Sequence, residues 1–298
     1  MRKLWLGIDV GGTSTRFLFL DDEGEWSGFH KIATHSWAGQ PEPLSSLADI
    51  VKAMTAGKPV SGIMLGLPGI LSHDRQQVVS LPFIQALDNT PTAANLSRMV
   101  NIPVAMDKDV NHLMLWDMMQ LEEMPKIAVG LYLGTGMGNS IWIDGGFYHG
   151  ANGGSGEIGH APWADNTESC PCGNTGCVET LTSGHWLTQW ARINAPDTPI
   201  GELFSVHRAH PDLTAFVSRL AKSIAGEMNI LDPQYLFLGG GVLSMTDFPI
   251  EELREQIRRY LRPPLTKNNL TIVVSHSTDL TGCRGACLAA KRCFGERA

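Results

Sequence analysis

Residues 4–26, LWLGIDVGGTSTRFLFLDDEGEW, and residues 127–149, IAVGLYLGTGMGNSIWIDGGFYH, decide the fold because they follow one pattern. Each predicts an apolar strand, a turn of glycine and threonine, and a second apolar strand that ends in an acidic turn. Aligned without a gap, the two stretches share three positions: Gly7 with Gly130, Gly11 with Gly134, and Asp21 with Asp144. The alternative is a chance likeness of two glycine-rich hairpins. A true repeat of this length predicts two similar domains that face each other across a cleft.

The rest of the chain alternates helix and strand patterns. Residues 60–71, for example, form an apolar run that predicts a buried strand entering a Pro-Gly turn. Such alternation predicts an α/β fold in which each domain is built on a largely parallel sheet. We place the boundary between an N-terminal domain of residues 1–117 and a C-terminal domain of residues 118–283. The last helix pattern, residues 284–298, is predicted to return to the first domain.

Composition argues against several classes of protein. The 298 residues are enough for two domains with substantial cores. A formal net charge of −7 and the lack of a basic run argue against nucleic acid or an anionic membrane surface as a partner. No stretch approaches the roughly 18 uninterrupted apolar residues of a membrane span. The first residues, MRKLWLGIDVGG, lack the apolar run of a signal peptide, so a cytoplasmic location is expected.

Residues 157–179 contain the most specific chemistry and predict a zinc element. Three thiolates and one imidazole suit a closed, tetrahedral structural Zn²⁺, and the four residues are His160, Cys170, Cys172 and Cys177. Gly173 and Gly176 let the backbone turn around the ion. The alternatives are a disulfide between Cys170 and Cys177, or burial of the cysteines as small packing residues. Disulfides belong to oxidising compartments, whereas reduced thiols in this pattern favour metal binding.

Three glycine clusters at predicted strand ends are candidates for nucleotide binding. Clustered glycine lets backbone N–H groups approach a ligand closely, and that ligand is usually phosphate. The first two clusters supply phosphate candidates, and the third leaves room for a flat ring or a ribose: Gly11, Gly12, Thr13 and Thr15; Gly134, Thr135 and Gly136; Gly240 and Gly241. Asp9, at the end of the first strand, is a candidate ligand of hydrated Mg²⁺. The alternatives are an ordinary tight hairpin with a capping aspartate, and simple close packing.

Asp109 lies where a short strand pattern passes into a helix pattern. An ionised carboxylate there can accept the proton of an attacking hydroxyl, as phosphoryl transfer to alcohols requires. The alternative is an aspartate that caps the helix N-terminus. Glu157, His160 and Glu179 add the acceptors that a polyhydroxylated substrate needs, and this combination favours the catalytic interpretation.

Seven motifs occur in an order that is typical of one family: DVGGTSTR, LGLPG, DKDVN, YLGTGMG, GEIGH, CPCGNTGCVE and LGGGV. On these motifs the chain resembles the ROK-family sugar kinases of the actin-like ATPase superfamily, over essentially its whole length. The resemblance implies two actin-like (ribonuclease H-like) domains facing an interdomain cleft, with a small zinc-binding element in the second, and a homodimer. It also implies transfer of the γ-phosphate of ATP to the 6-hydroxyl of a hexose.

The resemblance further implies a role for each matching residue. Asp109 becomes the catalytic base, and Gly69 of the LPG turn lines the sugar pocket. Hydrogen bonds to sugar hydroxyls near the anomeric end are implied for Glu157, His160 and Glu179, and His160 also binds zinc with the three cysteines. The implied phosphate and adenosine contacts are Gly11, Gly12, Thr13, Gly134, Thr135, Gly136, Gly240 and Gly241.

One position departs from the family pattern. The family places Asn immediately before the catalytic aspartate, where its amide contacts the 3- and 4-hydroxyls, and here this residue is Lys108. An ammonium group only donates, so it cannot reproduce the donor and acceptor of an amide. Such a change alters which epimer leaves polar atoms unpaired. A basic residue here is similar to the allose kinases of the family and implies D-allose, the 3-epimer of glucose, as substrate. The alternative is a Lys108 that points into solvent.

Other hexoses and one non-catalytic role remain as alternatives. Within the kinases these are glucokinase, fructokinase and N-acetylmannosamine kinase. The family also contains sugar-responsive repressors with an additional N-terminal helix-turn-helix, for which the hairpin that begins at Leu4 leaves no room. We therefore expect a kinase whose ligands are a hexose, ATP, Mg²⁺ and structural Zn²⁺.

Overall fold

The computed structural model describes residues 2–295, which form two compact units. The first unit contains residues 2–123, His149–Ser155 and residues 278–295, and the second contains Met124–Tyr148 and Gly156–Ser277. The chain thus passes into the second unit after Glu123, later than the boundary at residue 117 that we placed from the sequence. The predicted helix 284–298 includes residues 296–298, which lie outside the described residues.

The first unit is built on a five-stranded sheet. Its N-terminal elements are β1 Leu4–Val10, β2 Ser14–Asp21, β3 Trp26–Ala33, α1 His35–Ala38, α2 Pro43–Thr55, β4 Val60–Leu67, β5 Ile70–Leu71, β6 Val78–Ser80, α3 Thr92–Val100, β7 Val104–Lys108 and α4 Asp109–Met118. The strand order across the sheet is β3-β2-β1-β4-β7. The first three strands pair antiparallel, whereas β1, β4 and β7 pair parallel.

The second unit repeats this plan. Its elements are β8 Ile127–Leu133, β9 Met137–Ile143, β10 Gly146–Phe147, α5 Glu179–Thr182, α6 Gly184–Asn194, α7 Leu203–His207, α8 Pro211–Leu231, β11 Tyr235–Gly239, α9 Ile250–Tyr260, α10 Leu265–Asn269 and β12 Thr271–Val274. The strand order is β10-β9-β8-β11-β12, with the same pattern of antiparallel and parallel neighbours. The repeat predicted from the two hairpins is therefore confirmed at the level of sheet topology.

The expectation of a largely parallel sheet is wrong. Each sheet is mixed, with two antiparallel and two parallel pairings. The reason is that each hairpin continues through a short turn into a third strand, β3 or β10, and a short turn permits only antiparallel pairing.

The last helix, α11 Thr281–Phe294, belongs to the first unit and packs on β1, β2 and β4. Gly7 of β1 makes this close approach possible, because a Cβ atom there would lie 2.6 Å from the Cys287 N atom. The other face of β1 is covered as well, with Ile8 packed in a core that includes Leu47 of α2. Burial on both faces explains the almost uninterrupted apolar sequence of this strand.

The second sheet has its own core, in which the long helix α8 supplies Phe216, Leu220 and Ile224. Within residues 2–295, none of the helices combines the length and the apolar character that a membrane span needs.

Candidate active site

The first glycine loop, residues 11–13, joins β1 to β2 and is held by a neighbouring threonine. The Thr34 hydroxyl donates a hydrogen bond to the Gly11 carbonyl at 2.6 Å, and the Thr34 N–H donates to the Thr13 carbonyl at 2.9 Å. Gly12 and Thr13 are exposed. This backbone is therefore fixed in position and accessible to a phosphate group.

Thr15 does not have the predicted role. It is 0% exposed, and its hydroxyl lies 3.0 Å from the Thr34 hydroxyl and accepts the Trp37 indole N–H at 2.9 Å. The hydroxyl is thus used inside the unit and is not available to phosphate. Thr15 instead connects β2 to Thr34, which holds the loop.

The Asp9 carboxylate lies at the end of β1, beside this loop. Its Oδ2 lies 3.5 Å from Arg16 Nη1, and Arg16 Nη2 lies 3.0 Å from Asp279 Oδ1. Burial raises the pKa of Asp9, against the opposing effect of the Arg16 guanidinium. Proteins usually hold Mg²⁺ through one or two carboxylates, with water and phosphate oxygens completing the shell. The position of Asp9 fits that pattern.

Asp109 is the first residue of α4, directly after β7. Lys108 occupies the N-cap position, so the alternative of Asp109 as the helix cap is wrong. Asp109 Oδ1 accepts the Val110 N–H at 2.8 Å. Burial, followed by repulsion from the Asp9 charge, raises the pKa of Asp109 to about 7. A carboxyl group that titrates near neutral pH is well suited to general-base catalysis.

Lys108 is 8% exposed, and its Nζ donates to the Ser155 carbonyl at 3.3 Å. The alternative in which Lys108 points into solvent is therefore wrong. Gly69 lies between β4 and β5 and is partly exposed. A Cβ atom on Gly69 would lie 2.9 Å from Leu81 Cδ1, which accounts for glycine in this tight turn. Its contact with sugar remains a prediction.

The second glycine loop, residues 134–136, joins β8 to β9 and is held by residues of α5 and α6. The Gly134 carbonyl accepts the Gly184 N–H at 2.9 Å. The Met137 N–H donates to Glu179 Oε2 at 2.7 Å. Glu179, which we assigned to sugar binding, is therefore also a structural partner of the second glycine loop.

The third cluster lies at the base of the second loop. The Val242 N–H donates to the Leu133 carbonyl at 3.0 Å, so the chain after β11 is joined to the last residue of β8. Gly240 has a φ of 97°, and a Cβ atom there would lie 2.6 Å from the Leu133 carbonyl carbon. An L side chain is strained in this conformation, and the backbone of β8 cannot move aside easily.

We expect Gly240→Ala to lower the free energy of unfolding by at least about 2 kcal/mol, from the positive φ and the backbone clash together. Gly241→Ala is the matched control, because a Cβ atom on Gly241 meets nothing within 4 Å. The melting temperatures of the two variants, measured by thermal unfolding, test this expectation. Equal melting temperatures would contradict the steric assignment.

The four predicted zinc ligands come together in the second unit. Their ligand atoms all lie within 4.8 Å of one another: His160, Cys170, Cys172 and Cys177. Cys170 Sγ lies 3.6 Å from His160 Nδ1, and Cys172 Sγ lies 3.6 Å from Cys177 Sγ. Tetrahedral ligands with Zn–S bonds of about 2.3 Å and Zn–N bonds of about 2.0 Å are separated by roughly 3.5–3.8 Å. The donor set and its spacing therefore fit Zn²⁺. All four residues lie in loops or short turns, and both cysteines of the disulfide alternative are free thiols.

His160 connects this cluster to a candidate sugar ligand. Its Nδ1 faces Cys170, whereas its Nε2 lies 3.7 Å from Glu157 Oε2. The two residues are the last residue and the N-cap of one short 3₁₀ turn. A metal bound at Nδ1 would orient the imidazole and so fix the nitrogen that faces Glu157.

A sequence model of the ROK family matches residues 5–293. This chain belongs to the ROK family. Among its relatives, a glucokinase of Halalkalibacterium halodurans is 28% identical over 288 residues, covering 88% of this chain and 87% of that protein. An N-acetyl-D-glucosamine kinase of Vibrio parahaemolyticus is 28% identical, covering 95% of this chain and 98% of that protein.

The α/β architecture is that of solved ROK structures. A ROK glucokinase from Streptomyces griseus, solved with glucose and AMPPNP, has a TM-score of 0.78 with this chain at 23% identity. The match covers 97% of this chain and 99% of that one. At this level of identity the likeness establishes the fold.

The structure groups the candidate residues of this ROK chain by unit. The first unit contains Asp9, Gly11, Gly12, Thr13, Gly69, Lys108 and Asp109. The second unit contains Gly134, Thr135, Gly136, Glu157, His160, Cys170, Cys172, Cys177, Glu179, Gly240 and Gly241.

Sequence reasoning missed one buried cluster of this ROK chain. Asp107 Oδ1 lies 3.0 Å from Arg75 Nε, and Asp107 Oδ2 lies 3.7 Å from His149 Nε2. Burial alone would raise the pKa of Asp107, but His149 and the Arg75 guanidinium lower it to about 2. The sequence feature that could have pointed to this cluster is the position of Asp107, two residues before Asp109. Nothing in the polar turn around Arg75 indicated its partner.

Proposed function

We propose that this ROK-family sugar kinase transfers the γ-phosphate of ATP to the 6-hydroxyl of a hexose, with Asp109 as the general base. The observation that supports this most directly is the Asp109 carboxyl, which starts a helix beside Asp9 and has a pKa raised to about 7. A base with this pKa is substantially ionised at neutral pH and can still hold a proton during the reaction.

In the proposed reaction the hexose 6-oxygen forms a bond to the γ-phosphorus as the bond from that phosphorus to the bridging oxygen of ADP breaks. Asp109 accepts the hydroxyl proton, and ADP takes the bond's electron pair. The backbone N–H groups of residues 12–13 and 135–136 are the proposed phosphate donors. The N–H groups of Gly11 and Gly134 close the two turns by donating to the Ser14 and Gly136 carbonyls. Asp9 would hold Mg²⁺, which neutralises phosphate charge when bound. Gly240 and Gly241 are proposed to lie beside the adenosine.

We propose D-allose as the hexose. Lys108 supports this, because it is a largely buried residue directly before Asp109 and its ammonium group offers only donors. Glucose and N-acetylated hexoses are the alternatives, in keeping with the names of the relatives. Glu157 and Glu179 would accept hydrogen bonds from the sugar hydroxyls, whereas the Nε2–H of a His160 ligated through Nδ1 would donate one. The hexose with the highest kcat/KM identifies the substrate among these candidates.

The test is ADP formation from ATP and Mg²⁺ with D-allose, D-glucose, D-fructose, N-acetyl-D-glucosamine and N-acetyl-D-mannosamine. A preference for D-allose in kcat/KM is expected. Turnover of a different hexose would retain the kinase and overturn the allose assignment. Binding of a hexose without turnover of any would favour a sugar sensor.

We expect kcat/KM for the hexose to rise with pH through a midpoint near 7. Only the ionised form of Asp109 accepts a proton, and the raised pKa of about 7 places that ionisation well above the range of ordinary carboxylic acids. Activity is therefore lost as the pH falls through 7. Initial rates at saturating ATP between about pH 5 and 9 measure this pH dependence of kcat/KM. A midpoint near 4 would contradict the assignment.

We also propose that the Cys₃His cluster holds structural Zn²⁺ and that the protein is a homodimer, as the family resemblance implies. Metal analysis and light scattering of the purified protein test the two proposals separately.

A further inference from the structure

Asp107 is the centre of a buried polar cluster in the first unit. Its Oδ1 accepts the backbone N–H of Lys108 at 2.8 Å and also pairs with Arg75. Both members of this ion pair are largely buried. Buried charge requires compensation from its partners, so the cluster maintains one arrangement of the chain around Lys108.

Arg75 is itself held in an unusual backbone conformation. Its φ is 56°, in the left-handed region that residues other than glycine rarely adopt. The turn that contains it is closed by the Arg75 N–H, which donates to the Ser72 carbonyl at 2.9 Å. Strained backbone of this kind is retained where the surrounding contacts determine it, and it is common at functional sites.

The same side chains hold the segment His149–Ser155, which we call the strap. Three of its carbonyls contact polar side chains of the first unit: His73 Nδ1 lies 2.6 Å from Gly150 O, Arg75 Nη1 lies 3.2 Å from Gly153 O, and Lys108 Nζ lies 3.3 Å from Ser155 O. The His149 ring faces Asp107. The strap is thus attached at both ends and in the middle.

The strap and Asp107 lie next to proposed hexose ligands along the chain. Asp107 directly precedes Lys108 and is followed by Asp109, and the strap ends two residues before Glu157. Arg75 and Lys108 also hold carbonyls of the same short segment. A change in the ion pair would therefore be transmitted to the Lys108 ammonium group.

We propose that Arg75 and Asp107 are positioning residues for hexose binding, and that their ion pair fixes Lys108 and the strap in the arrangement that accepts the sugar. The inference rests on the proposed hexose kinase function. Neither residue needs to contact the substrate, because Asp107 acts through the Lys108 backbone and Arg75 acts through the strap.

Asp107→Asn in the full-length enzyme tests this. We expect the hexose KM to rise roughly tenfold or more, because small misplacements of binding groups have large kinetic effects. The ATP KM should stay within about twofold of the wild-type value. Asp21→Asn is the matched control, since Asp21 also accepts backbone N–H groups and pairs with an arginine, but at the opposite end of β2 from the glycine loop. Its hexose KM should not change.

A double variant separates positioning from stability. Arg75→Met with Asp107→Asn removes both charges, so the melting temperature should recover relative to Asp107→Asn alone. The hexose KM should remain raised. A wild-type hexose KM in Asp107→Asn, or a KM that recovers together with the melting temperature, would overturn the inference. A wild-type enzyme that phosphorylates no hexose would instead overturn the proposed function, and the inference with it.

Discussion

Asp109→Asn is expected to lower kcat for the hexose by about 10³-fold and to leave hexose binding within about twofold of wild type. The amide has nearly the shape of the carboxyl group and cannot accept the proton of the 6-hydroxyl. It can still accept the Val110 N–H that now goes to Asp109 Oδ1. Steady-state ADP formation gives kcat, and titration calorimetry with the hexose gives the affinity.

The control is Asp117→Asn, a change of the same kind in the last turn of the same helix. Asp117 is buried and Asp109 is partly buried, so the control matches the chemistry of the change at a site that is no more exposed. We expect its kcat to stay within about twofold of wild type. If Asp109→Asn retains more than about a tenth of the wild-type kcat, the general-base assignment is incorrect.

Cys172→Ser is expected to lose the bound zinc and to lower the melting temperature by roughly 10 °C, because removing a structural metal is among the largest single-site effects on stability. Cys172 is exposed, unlike Cys170 and Cys177. Replacing an exposed thiol by a hydroxyl creates no cavity, so a large loss of stability reports the metal rather than packing. The hexose KM should also rise, because His160 loses the ion that would orient it.

Cys293→Ser provides the comparison, since Cys293 is also exposed but lies in α11, outside the cluster. It should keep the full zinc content and the wild-type melting temperature. Zinc is measured by elemental analysis of dialysed protein. A Cys172→Ser protein with no zinc and an unchanged melting temperature would show that the metal is not structural.

The features that could be predicted from the sequence are those whose residues are near each other in the chain. The hairpins at β1–β2 and β8–β9 follow from apolar strands separated by glycine turns. The four predicted zinc ligands all lie between His160 and Cys177, so their spacing alone indicates a cluster. Local signals of this kind do not depend on how the rest of the chain folds.

The features that could not be predicted depend on distant partners. β3 is a mostly exposed edge strand, so it has no alternation of apolar residues to reveal it. Thr15 lies two residues after the first glycine loop, but its hydroxyl faces inward and accepts the Trp37 indole N–H. The partners of Asp107 come from a turn and from the strap, and no local pattern joins those three parts of the chain.

The packing of α11 on β1 has a consequence for biosynthesis. Within residues 2–295, β1 leaves the ribosome long before α11, with the whole second unit made in between. At about 5–20 residues per second, the nascent first sheet waits for its covering helix for tens of seconds. During that time Trp5, Leu18 and Leu20 lack the partners that α11 supplies. The unit whose translation begins first is therefore the last to be completed, and a nascent chain stopped before α11 presents an uncovered apolar sheet face to chaperones.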